Sequence, residues 1–140
     1  MYNVPQIVIS KIRNIGVFGT KDGAKDLGFY SNRNGGFRDS GYDIELGQWW
    51  FLAVTGEGDS EDSHEGTSSY YVGTLQSPPE LVGTTDRVAS GVDHHRLGWP
   101  GQGPGKIAFA ATWDYVLSRD EMNTLWSGSV NFSCNSPMRL

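Results

Sequence analysis

Hydrophobic and polar residues alternate through most of this chain, and the period changes only once, near its C-terminal end. Alternation is the mark of a half-buried strand, because successive side chains point to opposite faces. Ile7, Val8 and Ile9 predict a first strand, with Pro5 confining its start to a sheet edge. Residues 14–20 (NIGVFGT) and 26–32 (DLGFYSN) predict two more, joined across the turn signal Lys21-Asp22-Gly23 as a hairpin. Residues 32–41 are rich in Asn, Gly, Asp and Ser and read as a loop, and 42–46 (YDIEL) alternate again. In residues 48–56 (QWWFLAVTG) both faces are apolar: Trp49, Phe51 and Ala53 on one, Trp50, Leu52 and Val54 on the other. Such a strand belongs in the middle of a layered structure. Strands are further expected at 69–75, 80–85 and 87–91, with Ser77-Pro78-Pro79 as a break. A closing strand follows, with Ile107, Phe109, Ala111, Trp113 and Tyr115 on its buried face.

At Ser118 the period becomes helical. Ser118 and Glu121 have the spacing of a capping box, and Leu117 and Met122 that of a hydrophobic staple. Met122, Leu125 and Trp126 then share one helical face. Gly128 is expected to end this helix in a left-handed conformation, leaving 129–140 as a tail. Nine or ten short strands, one short helix and regular turn signals predict an all-β, two-sheet antiparallel sandwich, a single domain over residues 1–128.

Composition supports short strands and tight turns: 19 of the 140 residues are glycine. The formal net charge of −5 and the lack of a basic stripe argue against nucleic-acid binding. No apolar run approaches the ~20 residues that span a bilayer, so membrane insertion is not expected. The N-terminal residues are too polar for a secretory signal. The one cysteine, Cys134, forms no internal disulfide and has no positive neighbourhood in sequence to activate it.

Two segments resemble a known family. GQWWFLAVTGEG (47–58) resembles the W-h-h-h-A-h-T strand, h being apolar, of laminin-G-like, concanavalin A-like jelly rolls. The closing segment of that family is similar to residues 96–126: Gly105-Lys106-Ile107, then Trp113, Tyr115, Leu117-Ser118, Glu121, Met122 and Leu125. Tyr71-Val72-Gly73 stands where the family's hairpin usually carries a Y-V-D-G turn. The resemblance runs from Gly47 to Trp126 and is loose before that. It implies a two-sheet jelly roll. It also implies a module that binds glycans, proteins or cell surfaces, often with a calcium ion, at an extracellular or particle surface. Such domains open with a strand beside the closing one, and only residues 4–10 are available for that place. If they do not take it, an open sheet edge invites a homo-oligomer or a covering partner.

The acidic stretch 57–65 places Glu57, Asp59, Glu61, Asp62 and Glu65 within nine residues. Calcium takes six to eight oxygens, so Asp59, Glu61, Asp62 and Glu65 are candidate ligands, though the spacing is not that of an EF-hand. Glu57-x-Asp59-x-Glu61 also has the form of the E-x-D-x-E strand of concanavalin A-like retaining glycoside hydrolases, where the outer pair serve as nucleophile and acid/base. The intervening Gly58 and Ser60 do not match the apolar residues of those enzymes, so an enzyme is not the expected outcome. Trp99, in a loop of glycines and prolines, is a candidate platform for a sugar ring. Asp93, His94, His95 and Arg96, with His64, complete the candidate ligand-binding set, but nothing among them has zinc-site spacing. The stretch 98–107 fails as a phosphate loop: Pro100 replaces the first glycine and Ile107 the Ser or Thr. The expected function is non-catalytic: a lectin-like or adhesion module for a glycan or protein surface. The alternatives are a structural component of a virion or other particle, and a glycoside hydrolase.

Overall fold

The computed structural model describes residues 6–10, 17–20, 26–31, 36–45, 48–58, 65–88, 109–113 and 115–135. Eight strands and one helix lie along them: β1 Gln6–Ser10, β2 Val17–Thr20, β3 Asp26–Ser31, β4 Gly36–Asp43, β5 Trp50–Gly58, β6 Glu65–Thr74, β7 Glu80–Val88, β8 Ala110–Trp113 and α1 Arg119–Asn135. Five strands form one sheet in the order β7-β6-β5-β1-β8, and β2-β3-β4 form another. The described residues are therefore mostly β, in two sheets with one helix.

The predicted hairpin forms, with Thr20 opposite Leu27. β1 takes the place beside the closing strand, but it runs parallel to both β8 and β5. It is an interior strand, so the edge position expected from Pro5 is not observed. Pro5 itself lies outside the described residues. The segment 80–91, expected as two strands, is one strand as far as Val88, with a register shift between Tyr70 and Tyr71 of its partner β6.

Residues 36–41 correct the sequence reading, because they are strand and not loop. Their turn chemistry is spent on an irregularity inside the strand. The Gly41 N–H donates to Asp39 Oδ1 at 2.8 Å, and the Tyr42 N–H donates to Ser40 Oγ at 3.3 Å. Gly41 has φ +78°, and the β3–β4 register shifts here, between Leu27 and Gly28. A bulge absorbs the same residues a turn would use.

β5 is buried on both faces, as its pattern predicts. Trp50, Leu52 and Val54 pack with Tyr70 and Val72 of β6 against Leu27 and Ile44, with Tyr42 and Val82 at the margin. Face-to-face burial of the two sheets makes this cluster. Within it Tyr42 meets Trp50 edge-on at 6.4 Å, and Trp50 Nε1 donates to the Glu45 carbonyl at 2.8 Å. The Tyr70 hydroxyl shares a hydrogen bond with Thr85 Oγ1 at 2.9 Å. Burial pushes the Tyr70 phenol above its ordinary pKa, against the Thr85 bond and helped by the Asp39 charge. The sheets also meet where β4 crosses β7. A Cβ on Gly83 would overlap the Ser40 carbonyl oxygen, so only glycine permits this approach.

The opposite face of β5 carries Phe51 and Ala53, and α1 covers them. Leu117 and Met122 are buried there, with Tyr71, Trp113, Leu125 and Trp126 packed around. The capping box is present. The Glu121 N–H donates to Ser118 Oγ at 3.3 Å, and the Ser118 N–H donates to Glu121 Oε2 at 2.7 Å. Trp126 Nε1 donates to the Thr74 carbonyl at 2.7 Å and ties the helix to the end of β6. Gly128 does not end the helix, which continues to Asn135 and takes in the first part of the expected tail. A glycine inside a helix costs only ~1 kcal/mol, and among the described residues no atom beyond the helix's own nearby backbone stands within 4 Å of where its Cβ would be, so nothing packed at this position forces a stop.

The closing strand is less enclosed than its alternation implies. Trp113 is half-buried under the helix, but Phe109 is 43% exposed and Tyr115 44%. β8 lies at the edge of its sheet, and the buried residues of α1 centre on β5, so the two ends of this segment overhang.

Candidate functional site

The helix-side face of the sheet has two unlike halves. Along β5 the positions Phe51, Ala53, Thr55 and Glu57 share this face, and along β6 so do Tyr71, Ser69, Thr67 and Glu65. The apolar half, Phe51, Ala53 and Tyr71, lies under α1. From Thr55 onward the positions are polar. Antiparallel register sets Thr55 opposite Ser69 and Ser69 opposite Thr84. The next row is Glu57, Thr67 and Asp86, and beyond it Glu65 stands opposite Val88. With strands ~4.8 Å apart, Glu57 and Asp86 occupy positions roughly 10 Å apart, with Thr67 between them.

Burial grades across this half. Thr55 is buried and Ser69 half-buried, while Thr67, Thr84 and Asp86 are exposed. Hydroxyls that both donate and accept thus stand in strand register beside a carboxylate, with two further carboxylate positions in adjoining places. β5 and β6 are joined through residues 59–64, so the acidic stretch of the sequence leaves and re-enters the sheet at this end.

The structure brings few of the sequence candidates into view. Glu57 ends up on β5 and Glu65 on β6, two residues out of register from being opposite each other. Asp59, Glu61, Asp62 and His64 lie outside the described residues, as do Asp93, His94, His95, Arg96 and Trp99. The hydrolase arrangement requires Glu57, Asp59 and Glu61 on one strand. β5 ends at Gly58, and the last two carboxylates lie outside the described residues. Among the described residues no three His, Cys, Asp or Glu side chains come together as metal ligands.

Thr67, Thr84 and Asp86 were not singled out by the sequence. Each sits in an alternating strand, where a polar residue reads as an ordinary solvent-facing position. Only the register of three strands places them in adjacent rows. No helix among the described residues is long and apolar enough to cross a membrane. No protein-family model, curated protein or solved structure matches this chain.

Proposed function

We propose that the chain is a non-catalytic binding module of lectin-like or adhesion type. Its recognition surface is the polar half of the helix-side sheet face, and its ligand class is a glycan. The carrying observation is the change of chemistry beyond Ala53 and Tyr71, where apolar residues covered by α1 give way first to buried Thr55 and half-buried Ser69 and then to exposed Thr67, Thr84 and Asp86. A sugar presents vicinal hydroxyls that donate and accept together, and threonine hydroxyls beside a carboxylate complement that pattern. A hard cation such as calcium suits the carboxylates of 57–65, with Asp86 on the strand beside β6. The jelly-roll assignment belongs to the same proposal. Two sheets packed face to face, a tryptophan strand at the core and an N-terminal strand beside the closing one support it. The parallel course of β1 departs from the antiparallel pattern of such folds.

A glycan array probed with calcium and with chelator tests this reading. Binding is expected to at least one glycan class, to weaken by about tenfold or more in Asp86→Ala, and to fall with chelator if calcium participates. The absence of any bound glycan under both conditions would remove the lectin reading.

A further inference from the structure

We propose that two copies of this chain associate through β8, adding strand to strand in an antiparallel pair centred on Ala111. Independent of the glycan reading, the inference rests on a contrast between the two edges of the five-stranded sheet. β7 carries exposed Glu80 and Asp86, has a register irregularity along it, and has β4 lying against it at Gly83. Charges, irregularities and covering strands are how sheet edges avoid further pairing. Among the described residues β8 has none of these. Its residues Ala110, Ala111, Thr112 and Trp113 carry no charge and no proline, and its register with β1 is unbroken. Among the described residues β1 is its only strand partner.

The occupant follows from self-complementarity. Phe109, Ala111 and Trp113 share one face by strand periodicity. Antiparallel pairing about Ala111 sets Ala111 against Ala111 of the second copy, and Phe109 against Trp113 of the second copy. The dimer contains that aromatic pair twice, and each copy covers the exposed Phe109 of the other. Cross-strand aromatic pairs are among the favourable neighbours in a sheet, and the small alanines at the centre leave the strands free to close. The two-fold relation uses the same surface on both copies and so closes at two, not a filament.

Light scattering on the intact chain over a concentration series tests the association. A species of about twice 15.4 kDa is expected to populate as concentration rises. Phe109→Glu, at an exposed position outside the strand, is expected to raise the dissociation constant about tenfold or more, with an unchanged thermal melt at concentrations low enough that the wild type is monomeric. Oxidative cross-linking tests the register in a Cys134→Ser background. Ala111→Cys is expected to form a disulfide dimer rapidly, and Leu81→Cys, on the β7 edge, slowly. Opposed residues in an antiparallel pair lie within disulfide reach, which makes Ala111 self-reactive across the axis. A monomer at every concentration overturns the proposal. So does a dimer unaffected by Phe109→Glu, or one cross-linked as readily through Leu81→Cys as through Ala111→Cys. Those last results would place the contact elsewhere or assign the edge to another occupant.

Discussion

Among the described residues Met122 is the most deeply buried side chain of the helix against the sheet, and its truncation is the sharpest measure of that layer. It is 1% exposed and packs in one cluster with Phe51, Ala53 and Leu117. Met122→Ala removes roughly three heavy atoms of apolar side chain. At ~0.8 kcal/mol for each methylene-sized group the transfer loss is ~2.4 kcal/mol, and the residual cavity brings the total to ~3 kcal/mol. Helix propensity does not add to this loss, because alanine is the best helix former. Urea unfolding followed by circular dichroism reads the change. With a slope of ~2 kcal/mol per molar urea, the midpoint is expected to fall by ~1.5 M at constant slope. Met122→Leu keeps the volume and is expected to cost less than ~1.5 kcal/mol. A loss below ~1 kcal/mol for the alanine variant would refute the packing of α1 onto β5, because a solvent-facing methionine truncates at little cost.

Other outcomes follow from the same contacts. Gly83→Val is expected to destabilise by ~1–3 kcal/mol in a thermal melt, because its Cβ meets the Ser40 carbonyl where β4 and β7 cross. Trp126→Phe leaves the Thr74 carbonyl without its indole donor and is expected to cost ~1 kcal/mol by urea unfolding. The Ser118 backbone N–H, then the Ser118 hydroxyl, hold the Glu121 carboxyl below its ordinary pKa. A depressed folded value means its contribution is present above the unfolded carboxylate value and is lost as pH falls through the folded one. Melting temperature against pH is therefore expected to decline less steeply on the acid side in Glu121→Gln than in the wild type.

The binding and association proposals can fail separately. Thr67→Ala and Asp86→Ala change the polar half of the helix-side face and leave β8 untouched. Phe109→Glu changes the overhang beside β8 and leaves the polar rows untouched. Loss of glycan binding with an intact dimer, or the reverse, would show that the two surfaces work independently.

Local sequence determined the elements whose signals need no distant partner. The double-sided apolar run at 50–54 could only be an interior strand, since both its faces must leave water. Ser118 and Glu121 fixed the helix start because a capping box closes within one turn. The 26–31 hairpin partner was legible from its turn and alternation. Tertiary structure decided the rest. Asp39, Ser40 and Gly41 have turn chemistry, but β3 on one side and β7 on the other hold them as an irregularity within β4. Gly128 permits a helix end without requiring one. The insertion of β1 between β5 and β8, parallel to both, has no local signature, because pairing direction depends on where the chain returns. The polar rows through Thr55, Thr67 and Asp86 likewise exist only once three strands are in register. Alternation tells a residue which face it shares within its own strand, but only the neighbouring strands decide which residues stand beside it.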